Sequence, residues 1–167
     1  MEHGYEKSTT NRIAERAGYS VGTVYQYFDN KEDVYAEVID QTLDALQQAA
    51  ANSPIKATLK QTLQQFIARI LQRFEQNPAL IQALEALLAG QFRAKRNAVQ
   101  ESIVDSVTRL LEAHREEVVI EDLGLAARVI VATAEGMSNA GNPEQLSIED
   151  LESQLLRLQY AYLTLKS

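Results

Sequence analysis

The stretch TTNRIAERAGYSVGTVYQYFDNKED, residues 9–33, predicts two short helices joined by a tight turn. In the first run, TTNRIAERA, helical spacing places Ile13, Ala14 and Ala17 on one inward face. Gly18 should end this helix, because glycine adopts a left-handed backbone conformation without a Cβ clash. Such a pair of helices cannot bury enough surface to be stable alone, so it must be held by the rest of the chain.

The second run, VGTVYQYF, follows Ser20, which is a good N-cap. Val24 and Phe28 lie four residues apart and should face inward, so Tyr25 lies near the boundary and the polar residues between them point outward. Two short helices joined by a glycine turn are typical of a helix-turn-helix, whose second helix enters a major groove about 12 Å wide. The alternative is an ordinary helical hairpin with half-buried tyrosines.

Helical signals continue through the rest of the chain and predict an all-α fold. The 167 residues include only seven glycines and three prolines, most of which fall at plausible helix boundaries. Asn30 and Asp33 should cap the third helix. The expected later helices span residues 31–51, 55–76, 78–90, 91–116, 121–140 and 147–166. We expect two domains, a helix-turn-helix over residues 1–40 and a larger helical domain over residues 41–167.

Composition and charge limit the possible functions. The chain has no cysteine, and no stretch approaches the roughly 20 apolar residues of a membrane span, so an intracellular, cytoplasmic protein is expected. The net charge is −7, and residues 1–40 contain four basic and eight acidic residues. DNA binding must therefore rely on a local, shaped surface, since the overall electrostatic field opposes it.

Short motifs in the first 40 residues resemble those of a known family. They are GY at 4–5, TT at 9–10, IAERAG at 13–18, SVGTVYQYF at 20–28 and NKED at 30–33. Together they are similar to the helix-turn-helix of the TetR family of bacterial transcriptional regulators. Beyond residue 40 the resemblance is architectural only, in the length and the helical character of the second domain.

The resemblance implies a homodimeric repressor that binds a pseudo-palindromic operator in double-stranded DNA and releases it when a small molecule binds. The residues that would contact phosphates are Thr9, Thr10, Thr23, Tyr25, Tyr27 and Lys31. Those at or near base edges would be Asn11, Val21, Gly22 and Gln26. Family members carry a further helix ahead of the segment at residues 3–5, which predicts residues before Met1 that this sequence omits. The alternative is a truncated form that does not bind DNA.

The effector pocket is expected on the central helices. Its candidate lining residues are apolar and follow helical spacing: Phe66, Ile70, Phe74, Leu84, Leu87, Leu88 and Phe92. Because few charges lie on these helices, an apolar or amphipathic small molecule is expected. The same residues would equally fill a core without a cavity. A basic cluster at Arg93, Lys95 and Arg96 offers a site for an acidic effector, although such a cluster is usually a solvated face.

The last two helices carry enough apolar surface to suggest a dimer interface. Apolar residues of the final helix recur at steps of three and four, which is the spacing of a seam that packs on a partner helix. The predicted interface residues are Val129, Leu151, Leu155, Leu158 and Tyr162, while Leu156 and Leu163 would hold the helix to its own domain. The alternative is a helical hairpin packed within one chain.

Nothing in the sequence points to an enzyme, a metal site or a cofactor. The two histidines, His3 and His114, have no partner at metal-ligand spacing, and His114 is expected on the solvated face of a charged helix. The rival to a DNA-binding regulator is a dimeric, all-helical module that binds a small molecule or a protein and no longer binds DNA.

Overall fold

A computed structural model describes the backbone of residues 8–75, 92–140 and 147–165, and the side chains of 8–72, 92–137 and 147–165. This part of the chain contains helices and connecting turns but no strand, as predicted. The helices are α1 (Thr10–Ala17), α2 (Val21–Tyr25), α3 (Lys31–Ala51), α4 (Leu59–Glu75), α5 (Arg93–Glu112), α6 (Leu123–Ala140) and α7 (Ile148–Thr164). The helix predicted at residues 78–90 lies outside the described residues.

The turn between α1 and α2 has the predicted backbone geometry. Gly18 has a φ of 73°, in the left-handed region, and Tyr19 N–H donates to the Ala14 carbonyl oxygen at 3.0 Å. This bond helps to satisfy the carbonyl groups at the end of α1, which lack partners in a continued helix. Ala14 is buried and Ile13 is partly buried, but Ala17 is exposed, so the prediction that Ala17 faces inward was wrong.

Helix α3 begins and ends where the sequence predicted. Asn30 Oδ1 accepts a hydrogen bond from Asp33 N–H at 2.9 Å, and Asp33 Oδ2 accepts one from Asp29 N–H at 3.1 Å. The two side chains therefore fix the entry into α3 reciprocally. The helix is continuous from Lys31 to Ala51, so the domain boundary expected between residues 40 and 41 falls inside it.

Helix α4 begins at Leu59, later than the predicted residue 55, because Thr58 caps it. The backbone N–H of Gln61 donates to Thr58 Oγ1 at 3.3 Å, and Thr62 N–H donates to the Thr58 carbonyl oxygen at 3.0 Å. Such a cap requires Thr58 to stay outside the helix.

Helix α5 ends at Glu112 rather than 116, and the turns that follow it bury His114. This residue was predicted to be solvated, yet it is only 8% exposed. His114 Nε2 lies 2.8 Å from Thr62 Oγ1, and its Nδ1 lies 3.1 Å from Glu117 Oε1. Glu117 Oε1 also accepts from Leu59 N–H at 3.0 Å. This network, buried at His114 and Thr62 and exposed at Glu117, ties the end of α5 to the start of α4, which explains why the chain turns here.

The main hydrophobic core lies among α3, α4, α5, α6 and α7. Its largest fully buried side chains include Ile39, Leu59, Leu63, Leu110, Leu111, Ile130 and Leu163. Three polar contacts join α3 to α5: Lys95 to Asp40 at 2.5 Å, Gln47 to Ser102 at 2.9 Å, and Arg109 to the Ala51 carbonyl at 2.7 Å. Residue numbers rise together along both helices, so α3 and α5 run in the same direction. Lys95 of the predicted basic cluster is thus already paired with Asp40.

Within the described ranges, no helix combines the length and the apolar character that crossing a membrane requires.

Candidate nucleic-acid interface and effector pocket

The short helix α2 is fixed at its start and exposes most of its outer face. Ser20 Oγ accepts from Thr23 N–H at 3.0 Å and also contacts Thr23 Oγ1 at 2.7 Å. Val24 is buried and anchors the helix inward, whereas Tyr25 and Tyr27 are 51% and 77% exposed. Their hydroxyl groups lie on the surface, where they can donate to phosphate oxygens.

Most of the predicted DNA-contact residues lie on the surface. Those exposed are Thr9, Asn11, Val21, Gly22, Tyr25, Gln26 and Tyr27, and Thr23 and Lys31 are partly exposed. Thr9 Oγ1 also accepts from Arg12 N–H at 3.3 Å as the N-cap of α1. Thr10 differs, because its side chain is 7% exposed on the same inward face of α1 as Ala14. We therefore remove the Thr10 side chain from the set of candidate contacts.

Gly22 occupies open space on the outer surface of α2. A Cβ built there would meet only Ser20 Oγ, at 3.9 Å, which is an ordinary van der Waals distance. Packing inside the protein thus does not require a glycine at this position. A close approach by another molecule would explain it.

The segment just before α1 is hydrogen-bonded to α3. Tyr35 is buried on α3, and its hydroxyl group donates to Ser8 Oγ at 3.1 Å. Together with the Asn30 cap, this bond connects both ends of the α1–α2 unit to the first turns of α3. Movement of α3 would therefore carry the exposed face of α2 with it.

An apolar cavity lies between α3, α4, α5, α6 and α7. Its volume is about 60 Å³, and it is partly open to solvent. Most of its walls are apolar, and the lining residues are Leu46, Phe66, Ile67, Ile70, Leu71, Ile103, Val131, Ala134, Glu135, Leu155 and Gln159. A mostly apolar cleft with a few polar groups is the usual form of a small-molecule site.

The cavity contains two of the predicted pocket residues. Phe66 and Ile70 line it, while Phe92 is partly buried against the main core instead. The Phe74 side chain and the residues Leu84, Leu87 and Leu88 lie outside the described parts of the chain.

Sequence reasoning missed the two polar residues of the cavity wall. Glu135 Oε2 accepts from Gln100 Nε2 at 3.0 Å, and partial burial raises the pKa of this carboxyl group, against a smaller opposing effect of Arg96. Gln159, on α7, is 2% exposed. The sequence did contain one signal, since Glu135 is the only charged residue in the mostly apolar stretch between Val129 and Met137. No group of three potential metal-ligand side chains occurs in the described ranges.

The apolar seam predicted on the last helix divides between two faces of α7. Leu155 is 1% exposed and packs with Ile67 and Leu71 of α4, which corrects its assignment to the interface. Leu163 is fully buried, as predicted. Leu158 and Leu165 are 48% and 69% exposed and lie seven residues apart, on a face of α7 adjacent to that of Leu155.

The other predicted interface residues lie at the edge of this exposed face. Leu151, Tyr162 and Val129 are each partly buried, and Leu151 and Tyr162 also pack against the core. Leu125, near the start of α6, is 56% exposed and adds to the apolar surface. We define the exposed α6–α7 face as Leu125, Leu158 and Leu165.

Models of known families match both parts of the chain. Residues 1–38 match the family described as bacterial regulatory proteins, tetR family. Residues 58–163 match the family described as tetracyclin repressor-like, C-terminal domain.

Individual proteins of known name or structure agree with these matches. A segment of 42 residues is 40% identical to the fatty acid metabolism regulator protein of Bacillus subtilis (strain 168), covering 25% of this chain and 22% of that protein. The fold is similar to the crystal structure of PfmR, a TetR family transcriptional regulator from Thermus thermophilus. That similarity has a TM-score of 0.78 and 20% identity over 99% of this chain and 93% of that one.

A second solved structure was determined with a ligand. It is Thermus thermophilus FadR, a TetR family transcriptional repressor in complex with lauroyl-CoA, with a TM-score of 0.55 and 16% identity over 99% of this chain and 89% of that one. At this identity the two solved structures establish the fold alone, whereas the family match over residues 58–163 covers more than half of the chain. These relatives are regulators of transcription rather than enzymes. The chain belongs to the TetR family, the ligand-responsive regulators of bacterial transcription.

Proposed function

We propose that this protein is a homodimeric repressor that binds a pseudo-palindromic operator and releases it when an acyl-chain effector enters the α3–α7 cavity. The observation that carries the proposal is the continuity of α3, which holds the helix-turn-helix at one end and lines the cavity farther along. A regulator of this kind acts on the chromosome, which agrees with a cytoplasmic location.

DNA recognition would use α2 as the helix that enters the major groove. The hydroxyl groups of Tyr25, Tyr27 and Thr23, with the Lys31 ammonium group, are proposed to position phosphates. Asn11, Val21, Gly22 and Gln26 would lie at or near base edges. Because residues 1–40 contain only four basic residues, hydroxyl and backbone N–H donors must supply much of the contact.

Coupling between the sites would run along α3. Tyr35 joins α3 to the segment before α1, and Leu46 of the same helix lines the cavity. At a rise of 1.5 Å per residue, the 11 residues between them span about 16 Å. A ligand that presses on Leu46 favours a different placement of α3, and the attached α2 helices of a dimer then no longer match two half-sites.

An acyl chain is the proposed effector class because the cavity wall is largely hydrocarbon. Leu46, Phe66 and Ile70 supply side chains from two helices, and Ile103 and Val131 supply side chains from two more. Two relatives support this choice by name, the Bacillus subtilis fatty acid metabolism regulator and the FadR complex with lauroyl-CoA.

Dimer formation is proposed through the exposed α6–α7 face, with Leu151, Tyr162 and Val129 at its edge. Leu155 is excluded because it packs inside its own chain. Two-fold pairing of this face would cover Leu158 and Leu165, which otherwise leave an apolar strip in water.

The proposal is tested by selecting bound duplexes from a random DNA pool at low salt. We expect enrichment of a pseudo-palindrome whose half-sites lie about one helical turn, or a multiple of it, apart. If no sequence is enriched over the starting pool, the protein is instead a dimeric binding module without DNA binding.

A further inference from the structure

Gln159 is an unusual residue for the wall of an apolar cavity. It is 2% exposed, and its Oε1 atom is buried without a hydrogen-bond partner among the described residues. A buried amide oxygen that loses its bond to water is unfavourable unless another donor replaces the water. Since natural proteins rarely leave such atoms unpaired, this oxygen needs an explanation.

The orientation of the Gln159 amide group is fixed by its neighbours. Nε2 donates to the Ile130 carbonyl oxygen at 3.1 Å and to Thr133 Oγ1 at 3.4 Å. Thr133 Oγ1 lies 2.9 Å from the carbonyl oxygens of both Val129 and Ile130, so its own hydrogen is used there and it accepts from Gln159. Rotating the amide by 180° would place Oε1 against the Ile130 oxygen, acceptor against acceptor. The oxygen therefore remains the unpaired atom.

We propose that the natural ligand of this cavity carries a hydrogen-bond donor, such as a hydroxyl or amide N–H group, on an otherwise apolar body, and that Gln159 Oε1 accepts from it. This inference rests on the proposed function, in which the cavity holds the effector. Gln159 is then a specificity-determining residue. It selects donor-bearing ligands from purely apolar ones, because only a donor restores the hydrogen bond that burial removes.

Glu135 adds to the same preference. Its carboxyl group lines the cavity, and its Oε2 already accepts from Gln100 Nε2. A ligand carboxylate would meet a second carboxyl group in a partly desolvated space, which disfavours an anionic head group beside it. A neutral donor meets no such repulsion.

Calorimetric titration with two small probes, octan-1-ol and methyl octyl ether, tests the inference directly. The ether keeps the chain and the oxygen but lacks the donor, and its added methyl group favours it in any purely apolar site. We expect the alcohol to bind the wild-type protein about tenfold more tightly than the ether.

The variant Gln159→Met keeps the length of the side chain and removes the acceptor oxygen. We expect it to abolish the tenfold preference for the alcohol and to bind the ether a few-fold more tightly, because the additional methyl group then decides the order. Gln154→Met, at an exposed position of the same helix, is the matched control and should keep the wild-type preference.

Equal binding of the two probes to the wild-type protein would overturn the donor preference while leaving ligand binding in the cavity, and thus the proposed function, intact. A preference that survives in Gln159→Met would overturn the assignment to Gln159. If neither probe binds, both this inference and the proposed effector cavity fail, whereas operator selection still tests DNA binding separately. The wild-type comparison decides the donor question even if Gln159→Met does not fold.

Discussion

Charge placed on the exposed α6–α7 face should separate the proposed dimer without unfolding the protomer. Leu158 is 48% exposed, so roughly half of its side chain remains to be buried by a partner. Full burial of a leucine contributes about 1.5–3 kcal/mol, so this half contributes about 1 kcal/mol per copy and about 2 kcal/mol in a two-fold dimer. Leu158→Ala should therefore weaken dimerisation about 30-fold.

Leu158→Glu should have a larger effect than Leu158→Ala. It also forces two carboxylates out of water, at a cost of several kcal/mol each, and should give a monomer at micromolar concentration. Sedimentation velocity measures the association, and circular dichroism checks that the protomer stays folded. Operator affinity should fall as well, because two half-sites are no longer bound together.

The neighbouring Leu155 supplies the matched contrast. It is 1% exposed and packs on Ile67 and Leu71, so Leu155→Ala should lower the free energy of unfolding by about 2–5 kcal/mol. Leu158→Ala should change the unfolding of an isolated protomer far less. The reasoning is refuted if Leu158→Glu remains a dimer with wild-type affinity, or if it unfolds like a core variant.

Four further variants test the DNA face and the cavity. Lys31→Ala should reduce the salt dependence of operator binding by about 0.9 per protomer in a log–log plot, whereas Tyr27→Phe should weaken binding and leave that slope unchanged, since no charge is removed. Gly22→Val should abolish specific binding while leaving the unfolding midpoint nearly unchanged, because the space around Gly22 within the protein is open; a matching loss of stability would contradict this. Glu135→Gln should be more stable than wild type at neutral pH and lose that advantage toward acid pH. Burial raises the pKa of Glu135, so its ionisation on raising the pH destabilises the folded state. Chemical denaturation across the pH range, with the exposed Glu149→Gln as control, measures this difference.

The helix-turn-helix was the part of the fold that the sequence predicted best. Its helix boundaries depend on local chemistry, namely the Ser20 and Asn30 caps and the left-handed Gly18, and these act over three or four residues. The end of α5 was less predictable. It depends on His114 contacting Thr62, 52 residues away in sequence, and spacing along one helix does not reveal such a contact.

Periodicity along α7 could not distinguish residues buried within their own chain from residues buried against a partner chain. Leu155 and Leu158 belong to one pattern of threes and fours, and either residue could contact its own chain or a partner. Only the packing of α4 against α7 places Leu155 inside. The polar residues of the cavity were missed for a similar reason, because Gln159 appears in sequence as an ordinary polar position between two apolar ones.

The central claim is that the exposed face of α2 and the apolar cavity are coupled within one regulator. The most direct measurement is the affinity for the selected operator, by fluorescence anisotropy, with and without saturating lauroyl-CoA. Coupling free energies between sites are typically 1–3 kcal/mol, so we predict a roughly 5- to 150-fold loss of operator affinity. By reciprocity, the operator should weaken lauroyl-CoA binding by the same factor. Operator affinity that stays unchanged while calorimetry shows the cavity occupied would contradict the account.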